Sequence, residues 1–327
     1  MRRKLVLFLC GGALLAVSAL GAQAQQDNND NLSEGWQLHG EGHYADARAR
    51  LTAALRGAQT GSDPRTGAVI LDYLGLNEED SGDFGRAERY FNQGLSTIHP
   101  YPPHDPVQID LQTHLAELYM AEMRPGDAEP MLRQILGILR RAPSPDWLFV
   151  ARADEDLAIT CVMQHKYEEP EKLLRQSQGI IEGHLGPANP RLTNGLFAIA
   201  ALFTAQHKYA EAVAPAERAW QILQTTNLPV TKANLAAAWS TLSAVYFHVG
   251  RAEEAVSFAR QAVDWTEAVL GRNHPCVVRC LSNYAHILKH TGRKHEAKEI
   301  EKKADEISKK LPPGAADGNT VNIAALR

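Results

Sequence analysis

The chain has 327 residues, of which 44% are hydrophobic and 22% charged. That is too apolar and too sparsely charged for a wholly disordered protein, so it folds around a core. With 34 Lys and Arg against 38 Asp and Glu, the formal charge of −4 sets up no long-range field favouring nucleic acid or an anionic membrane surface, and no nucleic-acid partner is expected.

The chain opens with Arg2, Arg3 and Lys4, followed by a mainly apolar run of 16 residues (5–20) and by Ala22-Gln23-Ala24, the small-x-small pattern of a signal-peptidase site. The run is shorter than the roughly 20 residues a membrane-spanning helix needs. Residues 1–24 therefore read as a cleaved export signal, with a periplasmic or secreted destination and no integral membrane segment in the mature chain. Cys10 lacks the small residues that precede a lipidated cysteine. Loss of the three basic residues leaves 31 basic against 38 acidic side chains, a mature charge of −7. A polar segment, 25–31, leads into a repeating frame.

From 28 to 308 that frame recurs seven times. Short antiparallel helices need small residues where their backbones approach. Such residues stand at Gly35, Gly75, Ala116, Ala158, Ala200, Ser243 and Ala285, spaced 40 to 43 apart. Twelve residues after each come Ala47, Ala87, Ala128, Pro170, Ala212, Ala255 and Ala297, and seven further on Ala54, Gly94, Ile135, Ser177, Ala219, Ala262 and Ala304. Large apolar residues such as Tyr119, Phe203, Tyr246, Leu51, Phe91, Leu132 and Leu174 fill complementary positions, giving each helix one apolar stripe.

Gly42, Gly82, Gly250 and Gly292 mark the turn inside a unit, at the left-handed position a helix exit favours, and Gln164-His165-Lys166-Tyr167 and Gln206-His207-Lys208-Tyr209 mark it elsewhere. Asp63-Pro64, Asp105-Pro106, Asn189-Pro190 and His274-Pro275 place a cap before a proline suited to the first helical turn, so a new helix is expected at each. Pro170, Pro130 and Pro215 fall at or near the start of second helices, which are expected to begin late or to kink there. Glu301 replaces the apolar residue of earlier units, as the polar outer face of a terminal unit requires. Residues 309–327 are a Pro/Gly linker and tail.

The frame resembles the tetratricopeptide repeat, and its period of about 42 residues with joints such as Leu270-Gly271-Arg272-Asn273-His274-Pro275 is similar to the kinesin-light-chain type. The resemblance implies an all-α fold, a right-handed α-solenoid of about seven antiparallel helix pairs, whose first helices line a concave, peptide-binding side.

No phosphate loop, zinc helix or nucleophile elbow occurs, and no catalytic residue, metal ligand set or cofactor is expected. The turn histidines read as solvated. Cys276, Cys280, His286 and His290 share one helix, but the two pairs face different directions and make a poor four-ligand site. The mature chain keeps Cys161, Cys276 and Cys280, and no disulfide is implied. The carboxylate runs Glu78-Glu79-Asp80 and Asp154-Glu155-Asp156 read as solvated faces.

On the concave side the frame places Asp72, Tyr73, Asp110, His114, Glu117, Arg152 and Asp156, then Phe197, Thr241 and Phe247, then Arg279, Asn283 and His286, with charge running from acidic through aromatic to basic. Asn283 matches an asparagine common on this face in kinesin-light-chain repeats, but Tyr73, His114, Asp156, Ala198 and Thr241 hold the equivalent places, so an asparagine ladder is absent. The expected function is a scaffold for a protein or extended peptide. The alternatives are metal binding or catalysis by the His/Cys-rich last unit, or self-assembly through the tail.

Overall fold

The computed structural model describes residues 28–59, 64–225 and 232–311, and of 232–237 only the backbone. The export signal, Asp63 and the tail beyond 311 lie outside the described residues. Among the described residues there are fourteen helices and no strand, an all-α architecture of the α-solenoid type. Helix α1 spans 28–40. It is followed by α2 (Tyr44–Gln59), α3 (Pro64–Asp80), α4 (Phe84–Ile98), α5 (Pro106–Ala121), α6 (Pro125–Arg141) and α7 (Trp147–Met163). Then come α8 (Pro170–Leu185), α9 (Leu192–Ala205), α10 (Tyr209–Thr225), α11 (Lys232–His248), α12 (Ala252–Leu270), α13 (Pro275–His290) and α14 (Lys294–Ser308).

The helices fall into two compact units, α1–α4 and α5–α14. In the first, the small frame positions are points of close contact with the partner helix. A Cβ on Gly35 would stand 2.8 Å from Leu51 Cγ, and one on Gly75 only 2.3 Å from Phe91 Cε1. Leu51, Phe91, Ile70, Leu71 and Leu74 are buried around them. In the second unit each helix packs on the next, and the first helices of successive pairs also touch: α5 on α7, α7 on α9, α9 on α11 and α11 on α13. Those first helices therefore lie on the inner side of this unit, and the second helices on its outer side.

The turn glycines do what the spacing asks of them. Gly42, Gly82, Gly250 and Gly292 sit at φ near +80°, and the same register is taken in the other three pairs by Met123, His165 and His207 at φ near +60°. His165 and His207 each hydrogen-bond through Nδ1 to the hydroxyl of a tyrosine two residues on, Tyr167 at 2.9 Å and Tyr209 at 2.7 Å. Asp105 and His274 cap α5 and α13, accepting from the backbone N–H of Val107 and Cys276. Asp146 caps α7 in the same way, accepting from Leu148.

The expectations at the prolines and joints meet three different outcomes. Pro130 and Pro215 lie inside α6 and α10 and neither delays its helix. The carbonyls that lose their helical N–H partner to these prolines, those of Gly126 and Glu211, belong to exposed residues, where that loss costs least. Pro170 does delay its helix: α8 begins there, three residues later in the frame than the other second helices. At Asn189-Pro190 the new helix starts only at Leu192, because Asn189 Oδ1 first accepts from the Arg191 N–H in a local turn.

Candidate peptide-binding face

Each unit carries its own share of the sequence-derived positions. In the first, Asp72 is buried and Tyr73 half-buried on α3. Tyr73 is one face of an aromatic stack: Trp36 lies 4.5 Å from it at 23°, and His39 lies 4.5 Å from Trp36 at 15° on the other side. Trp36 remains 40% exposed, so the stack offers an open indole edge to a ligand. Sequence reasoning passed over Trp36 and His39, although their i, i+3 spacing on a first helix places them on one face.

In the second unit the inner face of α5 and α7 is knitted by Arg152, whose Nε and Nη2 donate to Glu117 Oε1 at 3.0 and 2.6 Å. Arg152 also faces Asp156 Oδ2 at 3.9 Å. Asp156 is buried, and burial together with the neighbouring Glu117 pushes its carboxyl well above the usual carboxylate range. Asp110 and His114 are half-buried on α5. The acidic end of the face is thus partly neutralised from within by one arginine.

Further along, Phe197 on α9 and Thr241 on α11 are buried. Phe247 stays half-buried and meets the rings of His286 and His290 edge-on at 5.7 and 5.9 Å, while those two histidines stack at 4.4 Å. His248 stacks flat on Tyr209 at 4.3 Å, and burial with His207 nearby lowers its pKa. Asn283 is buried on α13, and Arg279 is half-buried with its Nη2 donating to Cys276 Sγ at 3.0 Å. In this unit the face therefore presents half-buried groups, Arg152, Glu117, Phe247 and His286 among them, around a floor in which Asp156, Phe197, Thr241 and Asn283 are buried.

Of the carboxylate runs read as solvated, Glu78 and all of Asp154, Glu155 and Asp156 are buried, whereas Glu79 and Asp80 stay partly exposed. Glu78 is fully buried and accepts from Arg48 Nε and Nη2 at 2.5 Å and from Arg86 Nη1 at 3.0 Å, joining α3 to α2 and α4. Helix α7 touches α5, α6, α8 and α9, so three consecutive residues, each turned about 100° from the last, all meet protein instead of water. Asp154 Oδ1 accepts from Arg140 Nη2 at 2.7 Å, and burial pushes its carboxyl to about 6. Glu155 is pushed by burial to about 7 while accepting from Ser177 Oγ at 2.6 Å and from Asn194 Nδ2 at 3.4 Å.

In the last pair, Cys276 and Cys280 are both free thiols, Cys280 buried against Thr266 at 3.6 Å. Among the described residues no three His, Cys, Asp or Glu side chains converge as a metal site, and no helix is long and apolar enough to cross a membrane.

Residues 234–310, the last two pairs, match the family model of the tetratricopeptide repeat, and the same frame governs the five pairs before them. Those last two pairs are tetratricopeptide repeats. No curated protein matches the sequence. Among solved structures, the repeat array is similar to a Rap protein complexed with competence and sporulation factor, at 14% identity and a TM-score of 0.66 over 92% of this chain and 77% of that one. It is also similar to the Rap conjugation gene regulator of the plasmid pLS20 in complex with the Phr* peptide, at 11% identity and a TM-score of 0.65 over 86% and 73% of the two chains. A third likeness is to aspartyl phosphate phosphatase F from Bacillus subtilis, at 10% identity and a TM-score of 0.53 over 88% and 95%. At these identities what the chain shares with them is the fold.

Proposed function

We propose that this tetratricopeptide-repeat protein is an exported, non-catalytic scaffold that holds a protein or an extended peptide against the inner face of α5, α7, α9, α11 and α13. The observation that carries the reading is the juxtaposition of that face: first helices in mutual contact present a charged cluster, Arg152 with Glu117, and an aromatic cluster, Phe247 with His286 and His290. A polar clamp and an apolar platform along one face suit a segment that carries both kinds of side chain, and charge placed among aromatics selects direction more than it adds affinity. The two Rap structures named for a bound factor and a bound peptide support the choice of ligand class. Export is part of the proposal and rests on residues 1–24.

The test is selection of 12-residue peptides on the mature protein, followed by titration of the enriched sequences against Arg152→Gln and Phe247→Ser. Enriched peptides that lose affinity for both variants support the face. Failure to enrich any sequence, or binding indifferent to both substitutions, removes it. Export is tested separately, by the N-terminal residue of the protein recovered from a periplasmic fraction: Gln25 is expected, and an intact Met1 excludes cleavage.

A further inference from the structure

A cleft of about 560 Å³ opens on the outer side of the second unit, between the second helices α6 and α8, with α7 as its floor. Its volume falls within the range of small-ligand pockets. Trp147 and Ile180 give it apolar walls, and Trp147, at 45% exposed, is among the few large apolar side chains that the described residues leave open to water. Gly179 and Gly183, four apart on the α8 face, clear the space between. A Cβ at either would meet nothing within 4 Å. Two glycines inside one helix cost about 1 kcal/mol each against alanine, and packing gives no reason for them here.

At the floor lies Asp154, fully buried and lining the cleft. Its Oδ1 is held by Arg140, but Oδ2 is buried with no hydrogen-bond partner. An orphaned buried carboxylate oxygen is costly, and a ligand that donates to it relieves the cost. The Arg140 guanidinium 2.7 Å from Oδ1 already neutralises the acid and repels a second cation. The lining is mainly apolar. What fits is a flat apolar ring with a single neutral donor. At about 560 Å³ the cleft exceeds the size of one ring, so main chain can enter with it.

We propose that this cleft is a second binding site, separate from the inner face, which takes the indole or phenol ring of a partner polypeptide: the ring packs against Trp147 and Ile180 while its N–H or O–H donates to Asp154 Oδ2. Deleting the donor removes a charge-assisted hydrogen bond, which is expected to weaken binding about ten-fold or more.

The probes are acetyl-Gly-Trp-Gly amide, its Phe and Arg counterparts, and free indole, each titrated by calorimetry against the mature protein. The tryptophan peptide is expected to bind about ten-fold or more tightly than the phenylalanine one. Gly183→Leu, whose Cβ would meet nothing within 4 Å and whose side chain would enter the cleft, is expected to abolish binding, while Gly183→Ala and the inner-face variant Phe247→Ser retain it. Circular dichroism and thermal melting establish that Gly183→Leu is folded, and Gly179→Leu supplies an independent block if it is not. Equal affinity for the phenylalanine peptide, preference for the arginine peptide, or binding that survives both leucine variants overturns the proposal. Binding of free indole with exclusion of the tryptophan peptide overturns the assignment to a polypeptide.

Discussion

Ser177 Oγ donates a 2.6 Å hydrogen bond to Glu155 Oε1 where α8 lies against α7, and both side chains are shut away from water. Gly195 makes room for the pair, since a Cβ there would stand 2.6 Å from the same carboxylate oxygen. Burial dominates and raises Glu155 to about 7, from the 4.5 of an ordinary glutamate, with Ser177 and Asn194 working in the opposite direction. A carboxyl raised by folding favours the folded state most fully below its unfolded pKa and loses that contribution as pH climbs through the folded one. Asp154, at about 6, has the same sign. The thermal midpoint is therefore expected to fall between pH 5 and pH 8. Glu129 carries the opposite sign, held at about 2 first by the Lys166 hydrogen bond, but it acts only below pH 4.5; the lowered His248 and Cys276 share that sign within the window and are outweighed by the raised Glu155, Asp154 and Asp156. Glu155→Gln removes the charge while its one amide oxygen can still accept from Ser177, at the loss of the longer bond from Asn194; it should flatten the slope, gaining at most about 3 kcal/mol at pH 8. A midpoint that rises over this range in the wild type sinks the account.

Met123, His165 and His207 hold the left-handed turn position that glycine fills in the other four pairs. A side chain there costs about 1–2 kcal/mol. Met123→Gly is expected to raise stability by about 1 kcal/mol. His207→Gly should gain less, because it surrenders the 2.7 Å bond to the Tyr209 hydroxyl. Gly250→Ala, at φ +80°, should lose about 1 kcal/mol. Urea unfolding of the three variants checks the order, and an equal response of Met123→Gly and Gly250→Ala contradicts it.

Gly75 sits under the fully buried ring of Phe91, with 2.3 Å between that ring and the Cβ an alanine would bring. The helices α3 and α4 can admit a methyl group only by moving the ring or the backbone. Gly75→Ala is therefore expected to destabilise the first unit by about 1–3 kcal/mol despite alanine's better helix propensity. Gly75→Ala combined with Phe91→Leu should recover part of the loss. If the single variant melts at or above the wild-type temperature, the close approach is not what the frame position serves.

These positions also mark what could be read in the sequence. Gly75, Ala116 and Ala158 recur 41 and 42 residues apart because close helix approach excludes larger residues, and that demand belongs to the local helix pair. The fate of Asp154, Glu155 and Asp156 does not. Three adjacent carboxylates look solvated until the neighbours of α7 are in place, and the groups that receive Glu155 stand 22 and 39 residues away at Ser177 and Asn194. The outer cleft left one trace, Gly179 and Gly183 inside a helix that has no backbone need of them. Trp147 and Asp154 acquire meaning only beside that trace.

The Cys276 thiol is held at about 7. Burial alone would raise it, but the Arg279 guanidinium, 3.0 Å from Sγ, and His274 together outweigh that effect. Cys280, one turn on, is buried against Thr266 and raised by its burial. The two thiols should separate cleanly on alkylation, since the thiolate is the nucleophile. At pH 8 iodoacetamide is expected to modify Cys276 well ahead of Cys280 and of the buried Cys161, whose pKa is also raised by burial. In Arg279→Gln the pH at which Cys276 reaches half its maximal rate should move upward, because the guanidinium no longer stabilises the thiolate. Peptide mass mapping of the labelled chain over pH 5.5 to 9.5 reads both effects. Equal labelling of Cys276 and Cys280, or a profile unmoved by Arg279→Gln, shows that access and not charge governs this thiol.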